Sequence, residues 1–259
     1  MALRGIMARF GAGGASVDTV LDRADTTPGG TLTGQVHLTG GAVAQEVREI
    51  RVSLEATVEV ESGDSEWRED VRFATQAVAG AFALQPDERR SLPFRFAVPW
   101  QAPITAIGGW HLRGVHLGVR TRVDIPGAVD PGDLDPVTVL PLPVQQAVLD
   151  ALGSLGFTFR RADVEKGRLP GSDLPFYQEV ELAPPLSLRG HMNELEVTFL
   201  ADAQGTDVVL EADRRGGLFT EGRDALSRLR LSHRDTDPRQ LAGPLDAEVR
   251  RLGARRGWF

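Results

Sequence analysis

The sequence predicts an all-β protein made of two consecutive antiparallel β-sandwich domains, with a short helix at each end of the chain. Three observations predict this class. Long runs alternate between apolar and polar residues, clusters of Gly, Pro, Ser and Asp separate these runs, and helical periodicity is confined to short segments. A period of two is the pattern of a half-buried strand. Many such strands separated by turns are typical of antiparallel sandwiches.

The longest alternating run covers residues 50–61 and predicts a strand with one buried side and one side in solvent. Its apolar members are Ile50, Val52, Leu54, Ala56, Val58 and Val60, and its polar members are Arg51, Ser53, Glu55, Thr57, Glu59 and Glu61. The same alternation predicts strands over residues 31–39, 92–98 and 115–125. These strands predict one antiparallel sandwich in the first half of the chain.

The pattern changes near Leu140, where a turn-rich acidic stretch gives way to a short helical stripe and then to further strands. Val144, Val148, Leu152 and Leu155 are spaced by four, four and three residues, which predicts a helix ended by Gly153 and Gly156. Strand-like alternation then resumes in four pairs or triplets: Phe157 and Phe159; Leu195, Val197 and Phe199; Val208 and Leu210; Leu229 and Leu231.

These boundaries predict an N-terminal sandwich over residues 1–140 and a C-terminal sandwich over residues 141–237, followed by an amphipathic helix and tail over residues 238–259. The first helical stripe is Leu3, Ile6, Met7 and Phe10, and the last is Leu241, Leu245, Val249 and Leu252. We expect both helices to pack on the sandwiches. With Arg4, Arg9, Arg255, Arg256, Trp258 and Phe259 they could instead lie on a lipid surface.

Composition excludes several classes of function. The chain of 259 residues has no cysteine, which rules out disulfides, thiolate zinc sites and a cysteine nucleophile. A formal net charge of −7 disfavours a broad nucleic-acid-binding surface. No apolar stretch approaches the roughly 20 residues that span a bilayer, and the N-terminus lacks the apolar centre of a secretion signal. We therefore expect a cytoplasmic protein.

Residues with catalytic potential do not form a known constellation. The five histidines, His37, His111, His116, His191 and His233, are too scattered to predict a zinc site. The segment Gly153-Ser154-Leu155-Gly156 has the wrong spacing for a nucleophile elbow. The glycines of residues 11–14 lack the lysine of a phosphate-binding loop. We predict no enzymatic activity, no catalytic or metal-binding residue and no cofactor.

Three groups of residues leave an alternative open. Asp130, Asp133 and Asp135 could hold calcium through oxygen ligands or could form an ordinary acidic turn. Glu55, Glu59 and Glu61 could be catalytic carboxylates, a solvated face, or partners of arginines such as Arg120 and Arg122 on a neighbouring strand. Exposed aromatic residues among Trp67, Trp100 and Trp110 could bind carbohydrate.

Several motifs fall in the order found in one bacterial family. They lie at residues 15–21, 28–34, 36–41, 50–55, 94–99 and 121–135. The chain resembles the sporulation-control (SpoOM-type) proteins, best over residues 1–140, less specifically at residues 176–181 and 194–197, and not after Asp237. This resemblance implies an arrestin-like pair of β-sandwiches joined by a short linker. It also implies developmental, cell-cycle or cytoskeletal control by protein–protein contact, without enzymatic activity.

The expected function is therefore that of a non-catalytic regulator or scaffold in bacterial developmental or cell-division control. The expected partners are cell-division, cytoskeletal or developmental proteins, and no nucleic acid. The alternatives are a peripheral membrane adaptor that uses the terminal helices and a carbohydrate-binding sandwich.

Overall fold

A computed structural model describes residues 8–9, 14–63, 65–128, 132–213 and 226–254. Within these residues the chain forms strands β1 to β19 and helices α1 and α2. The elements of the first half are β1 Ala8–Arg9, β2 Ser16–Leu21, β3 Asp25–Thr26, β4 Thr31–Thr39, β5 Gln45–Val47, β6 Glu49–Ser62, β7 Ser65–Ala79, β8 Phe82–Leu84, β9 Arg89–Ala97, β10 Ala106–Ile107, β11 Trp110–His111, β12 Leu117–Asp124, β13 Asp133–Pro136 and β14 Thr138–Val139. The rest are α1 Pro143–Ser154, β15 Thr158–Lys166, β16 Phe176–Ala183, β17 Glu194–Asp202, β18 Gly205–Asp213, β19 Leu226–Ser232 and α2 Pro238–Ala254.

The chain divides into two compact units whose ranges differ from the contiguous predicted domains. Unit one consists of residues 1–57, 68–99 and 116–139, and unit two of residues 58–67, 100–115 and 140–259. The chain passes into unit two for the last time at Leu140, close to the predicted boundary. The two earlier segments belong to unit two because Glu59, near the end of β6, pairs with Glu165 of β15, and because residues 101–104 bind to β16 and the loop before it. The domains 1–140, 141–237 and 238–259 stay a prediction.

The two larger sheets of unit one are antiparallel. One has the order β1-β2-β4-β9, and the other contains β13, β12, β6 and β7. Unit one also contains the antiparallel pair β5-β8 and the parallel pair β3-β14. The predicted strands are confirmed, and their apolar residues form the core: Val17, Leu32, Val36, Leu38, Ile50, Val52, Leu54, Phe94, Phe96, Val119 and Val123 are all buried. Gly34 is required where β2 and β4 approach, since a Cβ there would lie 2.4 Å from the carbonyl oxygen of Val20.

Unit two contains strands in the order β15-β16-β17-β18-β19 beside the end of β6, together with both helices. Pro143 starts α1, and the Gln145 side chain accepts a hydrogen bond from the Leu142 amide at 2.7 Å. Val144, Val148 and Leu152 are buried, as are the four members of the predicted C-terminal stripe. The C-terminal helix is therefore confirmed, and it packs on α1, β18 and β19. No helix within the described residues is long and apolar enough to cross a bilayer.

Two local predictions differ from the structure. Ala8 and Arg9, inside the predicted N-terminal helix, form β1 and pair with Val17 and Ser16 of β2, while Leu3, Ile6, Met7 and Phe10 lie outside the described residues. The alternation of Phe157 and Phe159 predicts that both lie on a buried side, yet Phe159 is 50% exposed. The register of β15 against β16 shifts between Phe159 and Arg161, and such a bulge turns side chains away from the regular alternation.

Ala74 in β7 adopts a left-handed backbone with φ +50°. A Cβ in this region of conformational space is destabilising by about 1 kcal/mol relative to glycine. We therefore expect Ala74→Gly to raise the free energy of unfolding by about 0.5–1 kcal/mol, measured by urea denaturation. Ala77→Gly, in the exposed part of the same strand, is the control and should lower it by a similar amount. Equal destabilisation by both changes would contradict the argument.

The segment that begins at Trp100 is held in unit two by side-chain amides. Gln178 of β16 accepts a hydrogen bond from the Ile104 amide at 2.8 Å and donates one to the Ile104 carbonyl at 2.7 Å. We expect Gln178→Leu to destabilise unit two by about 1–2 kcal/mol, because it leaves two backbone groups of a buried residue without partners. Tryptophan fluorescence during urea unfolding measures this change. Gln101→Leu removes a more exposed pair of bonds and should have the smaller effect; the reverse order would contradict the prediction.

Candidate functional site

The most unusual electrostatic feature of unit two is a row of carboxylates that crosses five neighbouring strands, here called the acidic row. It consists of Glu59 and Glu61 on β6, Asp163 and Glu165 on β15, Glu179 and Glu181 on β16, Glu196 on β17 and Glu211 on β18. The register pairs Glu59 with Glu165, Asp163 with Glu179, Glu181 with Glu196, and Glu196 with Glu211. Directly paired residues point to the same side of a sheet, so these carboxylates share one face.

The local sequence explains why one face of this sheet is acidic. In each strand acidic residues alternate with apolar ones, as in Glu179-Val180-Glu181 and Glu194-Leu195-Glu196. The apolar members Val180 and Leu195 are buried on the opposite face. The acidic face is also shielded from water, because Glu59, Asp163 and Glu181 are only 6%, 4% and 3% exposed.

Arg161 supplies positive charge within the row. Its guanidinium donates to Glu181 Oε1 at 2.7 Å and lies 3.4 Å from Asp163 Oδ2. The hydrogen bond to Glu181 is the main reason that the pKa of Arg161 is raised, with a contribution from Asp163 and despite partial burial. Arg161 therefore remains a cation throughout the pH range in which proteins fold.

Burial and mutual repulsion favour the protonated form of two members of the row. Burial, followed by the charges of Asp163 and Glu59, raises the pKa of Glu165 to about 8. Burial, followed by the charges of Glu196 and Asp163, raises the pKa of Glu179 to about 10. At neutral pH the Glu179 carboxyl therefore carries a proton, and most Glu165 carboxyls do as well.

Part of the row also has the geometry of a cation site. Glu59, Asp163 and Glu165 each offer one carboxylate oxygen, and these oxygens all lie within 4.8 Å of one another. Calcium and magnesium prefer oxygen ligands, so these three residues could hold a divalent cation. The sequence pattern indicates Glu59 but neither Asp163 nor Glu165. The signal was present as acidic alternation in residues 163–165 and 179–181, but only the strand pairing places these segments beside β6.

The acidic stretch near residue 133 differs from the expected turn. Asp133–Pro136 form β13, paired with β12, and Asp130 lies outside the described residues. Asp133 is 3% exposed and accepts a hydrogen bond from the Thr19 amide at 2.7 Å. Burial, followed by the charges of Asp133 and Asp18, raises the pKa of Asp135 to about 7. Among the described residues, neither aspartate joins a group of three with the spacing of cation ligands, so the structure adds no support for a calcium site there.

The polar side of β6 is only partly exposed to solvent, whereas the sequence predicts a fully solvated side. Ser53, Glu55 and Glu59 are each at most 6% exposed. Arg120 of β12 donates to Glu55 at 3.0 and 2.5 Å, and Arg72 of β7 donates to it at 2.9 Å. The predicted pairing of Glu55 with an arginine of the neighbouring strand is confirmed for Arg120.

Burial and the two arginines shift the pKa of Glu55 in opposite directions. Burial by itself would raise it, but the hydrogen bonds from Arg120 and Arg72 outweigh burial and hold this pKa below its usual value. Arg122 is exposed and is paired in register with Arg51.

The tryptophans and histidines do not converge on one site. Trp110 is 81% exposed and Trp67 is 45% exposed, while Trp100 stacks on His233 with ring centroids 5.2 Å apart. His37 forms a hydrogen bond with Ser91 at 2.8 Å. None of the five histidines, all of which the structure describes, belongs to a metal-ligand group.

Comparison with known proteins identifies the family. The family model described as "SpoOM protein" matches residues 3–216. The sporulation-control protein of Bacillus subtilis (strain 168) is 36% identical over 211 residues, which cover 81% of this chain and 80% of that protein. A crystal structure of the sporulation-control protein from Bacillus subtilis superposes with a TM-score of 0.82 and 33% identity, covering 93% of this chain and 100% of that one. The chain belongs to the SpoOM protein family.

Proposed function

We propose that this protein is a non-enzymatic regulator that acts by binding other proteins, in developmental control of the sporulation type. The observation that carries the proposal is the relationship to a protein named for sporulation control, which extends over 81% of the chain. The relative is named a sporulation-control protein. A crystal structure of that protein superposes on 93% of this chain with a TM-score of 0.82. The proposed partners are cell-division, cytoskeletal or developmental proteins in the cytoplasm.

The charge distribution supports proteins rather than nucleic acids as partners. The formal net charge of the chain is −7. A net negative charge repels phosphate backbones, whose binding requires clustered Lys and Arg.

The burial of α2 argues against the alternative of a membrane adaptor. Leu241, Leu245, Val249 and Leu252 are 6%, 0%, 1% and 0% exposed. An apolar stripe that is already packed in unit two is not available to a lipid surface. Protein contact is therefore the mechanism that we favour.

The test is affinity capture of the tagged chain from its own host, with the tag alone as control. We expect a reproducible set of regulatory proteins, and a purified member of that set should bind the purified chain with micromolar affinity or better. An empty protein set, or one in which no purified member binds, would overturn the proposal.

A further inference from the structure

Strand β7 is an edge of its sheet. Among the described residues, β6 is the only strand that pairs with it. A strand with one open side presents a row of backbone N–H and C=O groups that another extended chain can pair with. The part of β7 that lies in unit one is residues 68–79.

The two ends of β7 differ in charge. Arg72 is paired with Glu55, and Asp70 accepts a hydrogen bond from Thr57 at 2.9 Å, so this part carries charged side chains tied to β6. Residues 73–79 have no charged side chain at all. Edge strands of natural proteins usually carry charges, prolines or bulges that prevent pairing with another chain. The left-handed Ala74 divides the strand, and residues 75–79 beyond it have none of these protections.

The side chains along this open segment leave room for a partner. Thr75, Gln76 and Ala77 are exposed, and they are small or neutral. A five-residue ladder is roughly 17 Å long. It buries far less than the roughly 1,200 Å² of a stable dimer interface, and such a short ladder suits a transient contact with a peptide segment.

We propose that the open edge of residues 75–79 accepts an uncharged, extended segment of a partner protein as an added β-strand. This inference rests on the proposed function, because it names the surface through which a partner is bound. Backbone hydrogen bonds supply affinity in this mode, and the small side chains beside the edge favour β-branched residues in the partner segment.

The test compares the intact chain with Ala77→Lys, which places a charge at the edge, and with Val43→Lys. Val43 lies in unit one outside β7 and is 66% exposed, so its substitution adds the same charge at a position that is not on this strand. Phage-displayed random dodecapeptides are selected on the intact chain. We expect enrichment of uncharged peptides rich in Val, Ile and Thr, with affinity at least tenfold weaker for Ala77→Lys and unchanged for Val43→Lys. Hydrogen exchange at residues 75–79 should slow when such a peptide binds.

Three outcomes would overturn the inference. The first is that no peptide is enriched, or that enriched peptides bind Ala77→Lys as well as the intact chain. The second is that the intact chain is a dimer at micromolar concentration and Ala77→Lys a monomer, which would make a second copy the occupant. The third is that proteins captured from the host bind Ala77→Lys equally well; the proposed function would then survive without this edge. Thermal unfolding of each variant checks that it is folded.

Discussion

Glu179→Gln is expected to stabilise unit two by about 2–4 kcal/mol at pH 8 and by less than about 1 kcal/mol at pH 5. Burial and the neighbouring carboxylates raise the pKa of Glu179 to about 10, from a value of 4.5 for an unperturbed glutamate. In the range between these values the folded protein holds a proton that the unfolded chain releases. Glutamine is neutral and of similar shape, so it removes the need for that proton.

The sign of the pH dependence follows from the same shift. A carboxyl group whose pKa is raised on folding contributes stability that is fully present below the pKa of the unfolded chain and is lost as the pH rises towards the folded pKa. For Glu165 this window runs from about 4.5 to about 8, and for Glu179 it extends to about 10. The free energy of unfolding of unit two should therefore fall as the pH is raised from 5 to 8, and Glu179→Gln should reduce that fall.

The position of the tryptophans makes this measurement specific. Trp67, Trp100 and Trp110 lie in the described residues of unit two, and the ranges of unit one contain no tryptophan. Tryptophan fluorescence during urea unfolding at pH 5 and pH 8 therefore reports on unit two.

Glu181→Gln, two residues away on β16, is the matched control. It removes the shorter of the two ion pairs of Arg161 and should destabilise unit two by about 1–3 kcal/mol. If Glu179→Gln destabilised unit two at pH 8 to the same extent, Glu179 would have to be ionised and paired.

Glu55→Gln is expected to have the opposite effect in unit one, a loss of about 2–4 kcal/mol. The Glu55 side chain is 4% exposed and that of Arg120 is 20% exposed. Removing the carboxylate leaves two guanidinium groups, those of Arg120 and Arg72, facing a neutral amide. The pKa of Glu55 is lowered, so the stability from this pair is present above about pH 4.5 and is lost as the pH falls.

Hydrogen exchange at residues 49–57 measures this loss, because unit one has no tryptophan. Glu46→Gln is the control, since Glu46 is exposed in the same unit and its substitution should change stability by less than about 0.5 kcal/mol. Adding Arg120→Met to Glu55→Gln should recover part of the loss, because it removes a guanidinium that would otherwise stay half-buried without its carboxylate partner. Equal exchange in Glu55→Gln and Glu46→Gln would contradict the importance of the pair.

Only two of the eight carboxylates of the acidic row are indicated by the sequence pattern. Glu59 and Glu61 stood out because they alternate with Val58 and Val60, and the alternation also predicted their side of the strand. Asp163, Glu165 and Glu179 did not stand out, since their shorter runs look like ordinary solvated strand faces. The sequence does not show which residues lie beside a carboxylate in the folded protein. The raised pKa values arise only from burial and from charges on other strands.

The sequence by itself determined the strands, their apolar sides, the C-terminal helix and the family, because these depend on local periodicity and on motifs read in order. Only the tertiary structure decided which polar sides are buried, as at Glu55 and Glu59, and which strand edge is open, as at residues 75–79 of β7. It also assigned residues 58–67 to unit two, although their alternation continues that of residues 50–57 without a break. The physical reason is that periodicity specifies the direction of each side chain, whereas burial, strand partners and pKa depend on residues distant in the chain.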